Sequence, residues 1–216
     1  MYSVCLLIIA VVIFRMVSTG EPGELKNYII KSDKIEKAYK ELKENFKMYQ
    51  IKIRDTFAMG DALFVDNIYY LESAENMQLT LRFKNSRLEE MFGYSPDGDN
   101  AISSRPSFFR YYLKVSSVNP NAGDIESSNY ILDYVILETV NENSFGKDTD
   151  RYSYYVLSFD DVKIEYATTK VELYVVKNNI VGETVFDEDD YSARFTLFDV
   201  NMPKTKVQAK KFDLGG

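Results

Sequence analysis

The chain has 216 residues, 26 Lys and Arg against 33 Asp and Glu, a net charge of −7, one cysteine, no tryptophan and no histidine. The missing histidine excludes imidazole triads, His-ligated zinc and proton shuttling near neutral pH, and the acidic balance makes a phosphate backbone a poor partner. An apolar content of 45% with 14% aromatics describes a folded chain.

The N-terminus carries eleven consecutive apolar residues, Val4–Phe14, then the small residues Ser18-Thr19-Gly20 and the breaker Glu21-Pro22-Gly23. That order of parts is expected of an export segment. The run is shorter than the roughly 20 residues that cross a bilayer and fits the 7–15 of a signal core. Residues 1–20 are therefore expected to be a signal peptide cleaved after Gly20 or, given Arg15 and the absence of a basic residue before the run, a retained membrane anchor. Both readings place the body outside the cytoplasm, secreted or held at the outer face of the cell membrane. Cys5 precedes most of the run, where lipidation is not expected, so the body has no disulfide and no thiolate site. A cysteine-free exported body with 18 Lys against 8 Arg fits a Gram-positive surface protein.

Residues 21–50 read as a linker and one amphipathic helix. Ser32 is a candidate N-cap, and Asp33 and Glu36 suit the positive end of the helix dipole. Ile35, Tyr39, Leu42, Phe46 and Tyr49 form one stripe, which predicts a helix over Asp33–Met48. That stripe is expected to dock on the following domain; a short coiled-coil spacer is the alternative.

From Ile51 the period changes to two. Strands are expected over 51–58, 62–71, 77–84, 108–118, 129–140, 152–159, 162–176, 180–186, 191–200 and 204–212. Many short strands without helices between them predict a mainly β fold, an immunoglobulin-like β-sandwich over 51–216 preceded by the export or anchor segment and the helix. The stretch 84–107 interrupts the rhythm with a helical turn at Arg87–Phe92 and the loop Ser95-Pro-Asp-Gly-Asp-Asn100. A loop that long is often functional.

Three sets of residues are candidates for binding. Tyr69, Tyr112 and Tyr155 belong to aromatic doublets, in which one member of each points away from the core and could stack on a sugar or a partner. Asp97 and Asp99 lie in the long loop. Asp187, Asp189 and Asp190 form an acidic turn that could hold calcium; the loop from Asp97 lacks the later ligands of an EF-hand. A pair of carboxylates could hydrolyse glycosides, but no pair stands out among so many acids.

The segments Ile51–Asp61, Phe64–Tyr70 and Leu79–Asn85 resemble the first strands of the telokin-like, immunoglobulin-like domains of Gram-positive cell-surface proteins. About 35 residues carry the resemblance, with Arg54 where glycine is usual. It implies an extracytoplasmic β-sandwich and no catalytic residues. The expected function is thus a non-enzymatic binding module without cofactor, a monomer that meets a protein or cell-surface glycan, touches the membrane only through its N-terminal segment and does not bind nucleic acid. A cell-wall carbohydrate-binding or glycan-processing protein is the alternative.

Overall fold

The computed structural model describes residues 25, 28–53, 56–92, 109–118, 130–139, 146–149, 151–164, 169–177, 186–199, 204–212 and 214, with the side chains of 92, 117–118, 130–133 and 146–148 left out. The expected export segment, all of the expected strand 180–186 except Phe186, and both Asp97 and Asp99 lie outside the described residues. No described helix is long and apolar enough to cross a membrane, which leaves strand-built membrane structures untouched.

Helix α1 (Asp33–Leu42) opens the described chain. Ser32 caps it, its hydroxyl accepting from the Ile35 N–H at 3.4 Å. The strands are β1 (Tyr49–Ile51), β2 (Phe57–Ala58), β3 (Leu63–Leu71), β4 (Asn76–Lys84), β5 (Phe109–Val118), β6 (Tyr130–Leu137), β7 (Gly146–Asp148), β8 (Tyr152–Phe159), β9 (Lys170–Lys177), β10 (Ala193–Phe198) and β11 (Lys204–Lys206). A second helix, α2 (Asn85–Phe92), follows β4, where one helical turn is expected. The strands form two antiparallel sheets: β11-β1-β3-β4-β8-β7, with β2 also on β3, and β10-β9-β5-β6.

The two sheets share one core. Leu63, Val65, Ile68, Met77, Leu79, Leu81, Phe83, Tyr155 and Leu157 of the larger sheet meet Tyr111, Leu113, Val115, Val171, Leu173, Val175, Phe195 and Leu197 of the smaller. The clean alternation of Met77, Leu79, Leu81 and Phe83 puts all four inward. The architecture is a mainly β, two-sheet sandwich, as its strand pattern predicts.

Several boundaries move, each for a reason of packing. The expected strand 51–58 exists as β1 and β2, both along one edge of β3, broken opposite a register shift between Val65 and Ile68. The expected strand 162–176 begins only at Lys170, because β8 and β9 belong to different sheets and the chain must change layer between them. The expected strand 204–212 is β11 followed by a 3-10 turn at Ala209–Phe212, which carries Phe212 onto Tyr69.

The helix expected to reach Met48 stops at Leu42. Lys43 takes a positive φ of 47°, a short 3-10 turn follows, and Lys47 exchanges backbone and side-chain hydrogen bonds with Ser73. A helix continued to Met48 could not deliver Tyr49 opposite Tyr70 in β1. Ile35 is buried on the domain and Phe46 and Met48 arrive from beyond the helix, while Leu42 remains 39% exposed. The segment docks, without Leu42 in the contact.

Part of the outer face of the larger sheet is covered by other segments of the chain. Ile29, Ile35, Phe46, Met48, Phe212 and Leu214 pack on Tyr69 and Leu71 of β3, while Leu25 and Ile30 pack on Tyr154 and Val156 of β8. Between them lies the central strand β4, whose outward Asn76, Gln78 and Thr80 are all buried.

Candidate functional site

The smaller sheet has a different outer face. Cross-strand registers set two rows across it: Leu137, Tyr112, Tyr174 and Arg194 in one, Val135, Lys114, Glu172 and Thr196 in the next. The segment 186–191 lies across these rows. Phe186 meets Tyr112 at 5.2 Å and Tyr174 at 5.1 Å between ring centroids, and Tyr191 meets Tyr174 edge-on at 5.6 Å. Such contacts add about 0.5–1.5 kcal/mol each beyond their buried area.

Charge fixes the same segment. Glu188 pairs with Lys114, whose side chain is largely buried. The Arg194 guanidinium lies 5.4 Å over the Tyr191 ring. The Tyr174 hydroxyl first and the Tyr191 ring next push Arg194 above its usual pKa, so it stays charged. Glu172 is buried between Lys170, at 2.8 Å, and Arg194, at 3.8 Å.

The segment leaves the β6 side uncovered. Leu137 is 50% exposed and Val135 39%, beside an open cleft of about 830 Å³ lined by Tyr134, Val135, Phe186 and the acidic turn Asp187–Asp190. Apolar side chains, aromatic rings and carboxylates thus converge on one rim. This rim can hold a partner by burying Leu137 and Val135 and can orient it with the acidic turn.

The sequence-based candidates do not converge in this way. Tyr69 faces the outer side of the larger sheet and packs edge-on against Phe212 at 5.0 Å. Tyr155 points into the shared core against Phe83 at 5.8 Å. Tyr112 alone lies on the rim, and it is covered by Phe186. All three are buried, so none offers a free ring face for stacking. The alternation within each doublet holds, but the outward faces are themselves covered by other segments of the chain.

The acidic turn expected to hold calcium is organised by its own contacts. The Asp187 carboxylate accepts the Asp189 N–H at 2.9 Å, and Glu188 is engaged by Lys114. Among the described residues no three acidic, His or Cys side chains converge on a metal position. Asp187, Asp189 and Asp190 stand exposed as a solvated turn.

Val135, Leu137, Phe186, Tyr191 and Arg194 went unnoticed in the sequence. The available signal was Tyr134–Leu137, four apolar residues in succession at the end of β6 and hence on both faces. On an edge strand one of those faces has no sheet to cover it. Comparison with protein families, with curated proteins and with solved structures finds no match to this chain.

Proposed function

We propose that the chain is a non-enzymatic binding module of a bacterial surface, exported or anchored by its N-terminal segment, with an immunoglobulin-like sandwich that presents the rim of the smaller sheet to a protein partner. The observation that carries this reading is the exposed pair Leu137 and Val135 beside the aromatic cluster on the outer face of the smaller sheet. Exposed apolar residues grouped with aromatics and rimmed by charge are typical of interaction sites. The body lacks histidine and cysteine, which supports binding without catalysis or cofactor. The Val4–Phe14 run supports the extracytoplasmic address.

A glycan partner has less support, because Tyr69, Tyr112 and Tyr155 are buried and leave Tyr191 as the exposed ring of the rim. The test is a pull-down from surface extracts beside a glycan array, with wild type and the Val135→Asp/Leu137→Asp variant. Capture of a protein by wild type and its loss in the variant support the reading. Capture unaffected by the variant, or retention on glycan alone, would overturn it.

A further inference from the structure

A second surface lies on the larger sheet, away from the rim. β11 is the end strand of that sheet among the described residues, and Lys204, Thr205 and Lys206 are all exposed. Residues 204–211 contain four lysines and no acid, on a chain whose net charge is −7. Beside β11 runs a groove of about 640 Å³, where Lys43, Lys206 and Lys210 stand around Tyr39, Phe46 and Val207, with Glu44 the acidic member. Lys34, Lys40 and Lys47 on and after α1 have carboxylate partners. Lys43, Lys206 and Lys210 have none among the described residues.

We propose that β11 and this groove take an extended acidic peptide segment carrying apolar side chains, which adds to the larger sheet as a further strand. An end strand presents unpaired backbone N–H and C=O groups, and lysines along it repel neutral or basic strands by the cost of covering their charge. An acidic strand removes that cost and gains the backbone bonds. Side chains alternate across an added strand, so a segment of alternating acidic and apolar residues can offer carboxylates to the lysines and apolar groups to Tyr39 and Val207. The acidic body repels such a peptide at long range. Recognition therefore depends on lysines within about one Debye length, roughly 8 Å at physiological salt. The site is independent of whatever binds the rim of the smaller sheet.

The probe is a short fluorescein-labelled peptide alternating aspartate and valine, titrated into the full chain and followed by anisotropy. Wild type is expected to bind it, with Lys206→Glu/Lys210→Glu roughly tenfold weaker and a fold unchanged by circular dichroism, since both lysines are exposed. A peptide with proline at its centre should lose binding, because proline has no N–H for the ladder. The Val135→Asp/Leu137→Asp variant should bind the probe like wild type. No binding by wild type, equal binding after charge reversal, or equal binding of the proline peptide would each overturn the proposal. Sensitivity to the rim variant would overturn the separation of the two sites.

Discussion

Gln78 holds the backbone of Ile30 with both ends of its side-chain amide. Its Oε1 accepts the Ile30 N–H at 2.8 Å and its Nε2 donates to the Ile30 carbonyl at 2.9 Å. The same Nε2 donates to Asn76 Oδ1 at 3.0 Å, and Asn76 donates in turn to Ser158 and Asp160, both at 2.9 Å. On either side of this grip Ile29 packs toward β3 and Ile30 toward β8. A segment outside the sheet thus gains the pairing that a strand would have given it.

Gln78→Leu should destabilise the domain by on the order of 3 kcal/mol, because it leaves the buried Ile30 N–H and C=O without partners. Gln78→Glu is the sharper variant. A carboxylate there faces the Ile30 carbonyl and Asn76 Oδ1, whereas the protonated acid can donate its one proton to either of them. Urea titrations should show Gln78→Glu gaining on Gln78→Leu as pH falls from 8 to 5, by about 1 kcal/mol or more. Equal pH dependence of the two variants would mean the grip is not formed.

Ile35→Asp should lower stability by about 3–5 kcal/mol, since it drives a charge into the contact with Tyr69 and Leu71. Leu42→Asp should cost within about 0.5 kcal/mol, because that side chain is 39% exposed. Thermal melts of the two variants decide the matter. Comparable losses would place Leu42 in the contact and shorten the case for this docking mode.

The larger sheet shows how far its sequence could be read. Alternation correctly turns Met77, Leu79, Leu81 and Phe83 to the core, and by the same logic Asn76, Gln78 and Thr80 should meet water. They are buried instead, because Leu25, Ile29, Ile30 and the residues that pack with them form a further layer outside the sheet. Periodicity tells which face a side chain takes, and it carries no information on what lies beyond that face. The same limit hid the rim. Tyr112 was visible as an aromatic, but Phe186 sits 74 residues further on, and only folding brings it over the ring.

Tyr70 gives the alkaline limb of stability a specific origin. Its ring packs in the core, its hydroxyl donates to the Val162 carbonyl at 3.3 Å, and burial above all pushes its pKa up from 10.0 to about 12. Folding therefore favours the neutral phenol. The contribution is complete below pH 10 and is lost as pH rises through 12, on the order of 2 kcal/mol in all. Tyr70→Phe should flatten the decline between these pH values in urea midpoints. An undiminished decline would assign the limb to another group.

Arg82 anchors the exposed end of the larger sheet by two kinds of contact at once. It donates to both Asp66 oxygens, at 2.8 and 3.1 Å, while its guanidinium lies 4.3 Å from the Phe64 ring centre and 4.7 Å from that of Tyr152. Burial by itself would lower its pKa; the bond and charge of Asp66 outweigh that, so Arg82 is held charged. A lysine can supply the charge but neither the bidentate fork nor the flat face between two rings. Arg82→Lys should therefore cost about 1–2 kcal/mol, and Arg82→Met more, since it leaves Asp66 half-buried and unpaired. Adding Asp66→Asn to Arg82→Met should recover part of that loss by removing the stranded charge. The check is the urea midpoint of each variant at an unchanged slope. Should Arg82→Lys match wild type, charge alone would hold this corner and the stack would contribute nothing measurable.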